Sequence, residues 1–180
     1  MTIRCSIFLA ISLDGFIARK DGALDWLASG ELGEEHEDYG YREFIDSVDT
    51  LVVGRKTYER AISFAGWPPE GKKVVVLSRH PLAARSHAPH PLERRSGPPL
   101  ALLEGLSQEG SRHVYIDGGR TVQGFLQAGL IDEITLTYIP VLLGEGIRLF
   151  GSLKRDLRFH HLETKVYRNG FVKSRYQADS

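Results

Sequence analysis

Three short stretches place the same kind of chemistry directly after an apolar run. Leu51-Val52-Val53 is followed by Gly54, Arg55, Lys56 and Thr57. Val74-Val75-Val76-Leu77 is followed by Ser78 and Arg79, and Val114-Tyr115-Ile116 by Asp117, Gly118, Gly119, Arg120 and Thr121. Adjacent glycines between a strand and a helix can mean a tight turn and nothing more. They also permit backbone angles closed to other residues and remove the Cβ that would hold a ligand off the backbone. A helix that starts there offers free N–H groups and a partial positive charge, which suits a phosphate. If the three strands are parallel neighbours, all three ends lie on the carboxyl edge of one sheet, where α/β proteins bind ligands. Three aligned anion sites fit a ligand with several phosphates, such as a dinucleotide. The guanidinium fork suits a terminal phosphate, so Arg55 and Arg79 on adjacent strand ends would close on a ribose 2′-phosphate and favour NADPH over NADH.

The elements that must position these residues are legible from periodicity. A first strand covers residues 3–11, and two Asp-Gly pairs in 12–26 mark turns or a hairpin-like loop. A helix is expected over 33–48, where Tyr41, Phe44, Ile45 and Val48 recur at helical spacing. Strands follow at 50–53 and 72–78, with a helix from Gly54 between them. Residues 79–99 are irregular, with a short edge strand near Pro91–Arg94. A helix opens on the prolines at 98–99 and stops at Gly110. Then come the strand 113–117, the Gly118–Gly119 helix, a strand closed by Pro140, a glycine-bent loop over 141–150, and two final strands joined at Asn169-Gly170, a hairpin signal. This order predicts a single α/β domain over residues 1–180: a mixed, mostly parallel sheet with helices on both faces, ending in a β-hairpin.

Composition narrows the partners. Lys plus Arg and Asp plus Glu are 23 each, so the formal net charge is zero; a nucleic-acid or membrane-surface binder would carry a basic excess. No apolar run approaches the ~20 residues that span a bilayer. The N-terminal apolar run reads as a strand, and Cys5 is the only cysteine; a disulfide-free chain fits a reducing compartment. The expectation is a cytoplasmic protein acting on a small molecule. Other motifs fail: the run at Gly144 has Leu149 where a Rossmann fingerprint needs its third glycine, no P-loop order or Gly-x-Ser-x-Gly elbow exists, and the seven histidines show no metal-ligand spacing. No metal is expected.

The segments LVVGRKTYE, VVVLSR and IDGGRTVQGFL…GLIDEITLTYIPVLLGEGIRLF resemble the dihydrofolate reductase superfamily. The SLDGFIA opening and PVLLGEG tail are more similar to its riboflavin-biosynthesis reductase branch, the C-terminal domain of the bacterial deaminase-reductase. The resemblance runs from Ile3 to about Phe171. It implies a sheet of about eight strands binding NADPH. The backbone near Ala10 and Ile17 would line the nicotinamide pocket. Gly54, Arg55, Lys56 and Thr57 would hold the pyrophosphate and 2′-phosphate, and Leu77, Ser78 and Arg79 the adenosine side. Gly118, Gly119, Arg120, Thr121 and Val122 would wrap the pyrophosphate, with a cis Gly118–Gly119 peptide.

The resemblance also assigns a substrate side. Dihydrofolate reductases hold the pterin with an acid followed four residues on by an aromatic; Glu37 and Tyr41 have that spacing, though the acidic run is equally a solvated helix start. In the riboflavin branch an acid before Gly-Gly meets substrate, and Asp117 stands there. Glu37 and Asp117 are thus the candidate catalytic residues, with Asp14, Trp26, Tyr41 and Thr137 as candidate substrate contacts. Trp26 could equally be a core or dimer residue, and Asp14 part of a turn. The implied activity is NADPH-dependent reduction of a small heterocycle or imine, similar to 5-amino-6-(5-phosphoribosylamino)uracil reductase. True dihydrofolate reductase activity, a non-catalytic NADP-binding module and a purely structural dimer are the alternatives. A homodimer through the late strands is expected, with ITLTYIPVLL as its apolar surface.

Overall fold

The computed structural model describes residues 3–27, 37–64, 66–82 and 92–179. Ten strands and four α-helices follow the expected alternation. In chain order they are β1 (Arg4–Ser12), β2 (Phe16–Ala18), α1 (Tyr41–Ser47), β3 (Thr50–Gly54), α2 (Arg55–Ala61), β4 (Lys73–Leu77), β5 (Leu92–Arg95), α3 (Pro99–Gln108), β6 (His113–Asp117), α4 (Gly119–Gln127), β7 (Glu133–Ile139), β8 (Ile147–Arg148), β9 (Phe159–Val166) and β10 (Val172–Ala178).

Eight strands form one sheet in the order β5-β4-β3-β6-β1-β7-β10-β9. The first six run parallel, while β10 pairs antiparallel with both β7 and β9. The central strands have apolar residues on both faces because both are covered. On one face Ile7, Val52, Val75, Val114, Ile116 and Leu136 pack against Leu102, Leu103 and Leu106 of α3 and Val122, Phe125 and Leu126 of α4. On the other, Leu51, Val53, Val74, Val76 and Tyr115 pack against Ile45 of α1 and Tyr58 of α2. Cys5 lies in the first of these cores, fully buried.

Three expectations need correction. The helix expected from residue 33 starts, within the described residues, only at Tyr41: Tyr39 (φ 55°) and Gly40 (φ 84°) hold left-handed backbone that cannot continue a helix. Residues 33–36 lie outside the described residues, as do His87, His90 and Pro91; the edge strand there runs Leu92–Arg95. The glycine-bent loop is not featureless, since its Ile147–Arg148 pairs with β2 as a separate two-stranded ribbon. Finally, Ile134, Leu136 and Ile139 are buried within the fold, because β7 is interior between β1 and β10, so they are not free to form a dimer surface.

Candidate functional site

The strand ends converge as expected. β3 lies between β4 and β6, all parallel, with Gly54 opposite Leu77 and Val53 opposite Asp117. Both helices that leave this edge start on a glycine: α2 has Gly54 as its N-cap and α4 has Gly118, and neither receives a side-chain cap. In α4 the first backbone bond runs from the Val122 N–H to the Gly118 carbonyl at 2.8 Å. The first-turn N–H groups therefore face the edge with no capping side chain.

Glycine is required where these starts meet. A Cβ on Gly54 would lie 2.8 Å from Thr121 Oγ1. Gly118 has a φ of 98°, and its Cβ would run into the Thr57 hydroxyl. A Cβ on Gly119 would lie 2.7 Å from Ile147 Cγ2 and 3.5 Å from Ile17 Cδ1. The two helix starts and the β2–β8 ribbon thus close on one another through bare backbone. The expected cis Gly118–Gly119 peptide is not found; among the described residues only Trp67–Pro68 is cis. The sharp turn is made instead by the left-handed φ of Gly118, which only glycine adopts without strain.

Cations surround this edge. Arg55 is half-buried and lies 3.8 Å from Glu59, whereas Lys56, Arg79 and Arg120 are exposed. The buried Ser78 hydroxyl donates to the His80 carbonyl at 2.8 Å and accepts from the His80 N–H at 3.1 Å, which shapes the turn after β4. Arg94 of β5 donates to the Ser78 carbonyl at 3.3 Å. It adds a cation that local sequence could not reveal, because its place depends on the pairing of Val76 with Arg94.

Next to these two helix starts lies Asp117. Burial pushes its carboxyl up to about 6, opposed by the Gly118 N–H, which donates to Oδ1 at 2.6 Å. Burial, and then the Asp117 charge, raise the Tyr41 and Tyr115 hydroxyls. Tyr115 donates to the Phe8 carbonyl at 2.9 Å, and Tyr41 meets the Phe8 ring edge-on at 5.9 Å. Phe8, Ala10, Thr135 and Thr137 share the face that carries Asp117, since Phe8 pairs with Thr135 and Ala10 with Thr137.

Trp26 is 5% exposed, packed with Ile139, Tyr167 and Phe171 and against Ala10 and Tyr39. Its Nε1 and the Tyr167 hydroxyl are buried without a hydrogen-bond partner among the described residues. Such donors ordinarily find one, so the wall beside Ala10 has unspent donor capacity.

A family model for the RibD C-terminal domain matches residues 5–173. The chain belongs to the RibD C-terminal domain family. It is 36% identical to YwjB, an uncharacterized protein of Bacillus subtilis (strain 168), over 89% of this chain and 90% of that one. A putative riboflavin biosynthesis protein from Shewanella sp. PV-4 superposes with a TM-score of 0.90 at 35% identity, covering 99% of this chain and 100% of that one. Dihydrofolate reductase from Enterococcus faecalis, complexed with NADP(H) and RAB-propyl, shares the fold at a TM-score of 0.67 and 17% identity, covering 98% of this chain and 97% of that one.

Within this RibD-type domain, the expected substrate contact Asp14 and the expected catalytic residue Glu37 both make structural contacts. Asp14 accepts from the Ser12 hydroxyl (2.6 Å) and the Leu143 (3.1 Å) and Gly144 (2.7 Å) N–H groups, clipping the opening loop to the segment after β7. These bonds, the Ser12 hydroxyl first, hold its carboxyl below the usual range. Glu37 accepts from the Tyr39 N–H at 2.9 Å and lies 4.0 Å from Lys165, ahead of α1. It does not share a helix face with Tyr41, because the left-handed residues at 39 and 40 intervene. No cluster of three metal-ligating side chains exists among the described residues, and no helix there is long and apolar enough to cross a membrane.

Proposed function

We propose that this RibD-type domain is an NADPH-dependent reductase that reduces a C=N bond in a small heterocycle or imine. The observation that carries this reading is the meeting of two uncapped helix starts, at Gly54 and Gly118, over backbone that tolerates no Cβ. The residues present fit the cofactor. Uncapped N–H groups of α4 would take the pyrophosphate, Arg55, Lys56 and Arg79 the 2′-phosphate, and the backbone at Ala10 and Ile17 the nicotinamide wall.

When bound, the nicotinamide supplies the hydride. The protein's own part is orientation, water exclusion and a proton. Reduction adds hydride to carbon and a proton to nitrogen. Asp117, with its carboxyl raised to about 6, holds a proton close to neutrality at Oδ2, the oxygen left free by the Gly118 bond. Phe8 and Tyr41, whose rings meet edge-on at 5.9 Å, would supply apolar surface on the same side. Trp26 Nε1 would donate to a substrate acceptor beside Ala10, and Thr137 lies on the same face. Dihydrofolate as substrate is disfavoured, because Glu37 is engaged with Tyr39 and Lys165 ahead of the helix.

Thermal unfolding with NADPH, NADH or no ligand tests the cofactor. A ligand at 100 times its Kd adds about 2.7 kcal/mol, worth several degrees. A large shift with NADPH and a small one with NADH supports the reading, and no shift with either overturns it. Turnover of NADPH with aminopyrimidine and imine substrates separates a reductase from a module that only binds the nucleotide. We also propose a homodimer through the edge strand β9, where Leu162 and Val166 are 37% and 69% exposed. Light scattering on the pure protein would show a mass near twice 20.1 kDa; a monomer mass rejects it.

A further inference from the structure

Two complementary surfaces lie side by side on the α3–α4 flank, and none of their residues belongs to the proposed cofactor or substrate site. The first is a groove of about 630 Å³, lined by one face of α3, the start of β1 and the turn between α4 and β7. Ile3, Leu100, Leu103 and Leu130 make it apolar, and Leu100 is 54% exposed. Its charged residues are Glu104 and Asp132, and no lysine or arginine lines it. Asp132 accepts from the Cys5 N–H at 2.7 Å. Neither carboxylate forms an ion pair among the described residues.

The second surface is the segment 149–158, which carries Lys154, Arg155 and Arg158 against one acid, Asp156. Phe150 and Leu153 are 44% and 45% exposed beside these cations. Lys154 and Arg155 are exposed and form no ion pair among the described residues. Arg155 stands at the rim of the groove: its Nη2 lies 3.6 Å from an ideal Cβ on Gly129, a groove residue.

The two surfaces match, an acidic apolar groove and a basic apolar strip, but they cannot close on each other within one chain. Gln123 and Gln127 of α4 donate to the Arg148 and Ser152 carbonyls at 2.8 and 3.0 Å, while Leu149 and Leu157 pack into the core. The strip is thus pinned along α4. Between two copies no such restraint applies. Because groove and strip are neighbours on one flank, the two-fold that seats one strip in the facing groove also seats the other.

We propose that this flank is a self-association surface, in which Leu153, Lys154 and Arg155 of one copy enter the groove of a second copy of this chain and the cations meet Glu104 and Asp132. Exposed charges and a few apolar side chains make this a weak, salt-sensitive contact, separate from the one proposed at β9.

Sedimentation equilibrium on the full chain, from about 5 to about 500 µM in low salt, is expected to show the weight-average mass rising about two-fold, and about 1 M salt should suppress the rise. Glu104→Lys alone should abolish it, as should Lys154→Glu with Arg155→Glu. Combining all three substitutions should restore it, which a merely destabilised fold would not do. Asp132 is left intact because it holds the Cys5 N–H. A rise that persists in Glu104→Lys, or that the combined variant fails to restore, overturns the assignment. So does a wild-type mass independent of concentration, which would leave the groove to a basic segment of another protein. The mass at the dilute end reports the β9 contact by itself, so the two readings fail separately.

Discussion

The amino and carboxyl edges of the same sheet are closed in opposite ways. At the amino edge Asp49 accepts from the Arg112 and His113 N–H groups, both at 2.8 Å, and from the Thr50 hydroxyl at 2.7 Å. Asp132 accepts from the Cys5 N–H at 2.7 Å, and His113 bonds the Ser6 hydroxyl at 2.8 Å. At the carboxyl edge the helices α2 and α4 start without a capping side chain, on glycines that leave their N–H groups open. The first edge spends its side chains on its own backbone and is committed to stability. The second leaves polar backbone unspent, which is tolerable only where a ligand or water completes it.

The sharpest way to break this comparison is Asp49→Ala. It strips the acceptor from two backbone donors and leaves the buried Thr50 hydroxyl with Ser111 alone, and a loss of about 3 kcal/mol is expected in denaturant unfolding, with the NADPH midpoint shift intact. Loss of that shift would mean the two edges are not separable. Gly118→Ala attacks the other edge. Its left-handed backbone and the Thr57 contact should cost about 2 kcal/mol, and here the NADPH shift should disappear as well.

Asp117→Asn should do the reverse to stability. The raised carboxyl disfavours the ionised form in the fold, so the stability it contributes is full below its ordinary value near 4 and is lost as pH rises through about 6. The amide variant should therefore be more stable than wild type by about 1–3 kcal/mol at pH 8, indistinguishable below pH 4, and unable to turn over substrate. A variant that keeps full turnover would remove Asp117 from proton delivery. The smallest effect concerns His113, whose protonation is disfavoured by burial, with the Ser47 carbonyl working in the opposite sense. In the Asp117→Asn background, stability should decline as pH falls below 6.5, and a flat profile would mean the imidazole is not constrained by this edge.

The sequence made the carboxyl edge readable because its signals are local. Apolar runs ending in Gly54, Ser78 and Gly118 place three strand ends without any knowledge of pairing. The substrate side was far less readable, for reasons that lie in the chain's long-range order. Thr137 comes to lie beside Ala10 only through register, and Ile147–Arg148 becomes a strand only by meeting Phe16–Ala18 more than a hundred residues away. The Glu37–Tyr41 spacing misled because Tyr39 and Gly40 turn left-handed between them, a backbone choice that periodicity does not register. The turn at Gly118 was foreseen as sharp, yet it is made by φ and not by a cis bond.

Cys5 sits 1% exposed in the core, with its thiol pushed up to about 12 by burial and then by the Asp132 charge. Thiolate is the species that alkylating reagents attack, so the native chain is chemically silent toward maleimides while folded. A cysteine introduced on the exposed β9 strand or at the exposed Leu142 would be the sole labelling position. A single fluorophore could then report cofactor capture or subunit exchange without first engineering away a competing thiol.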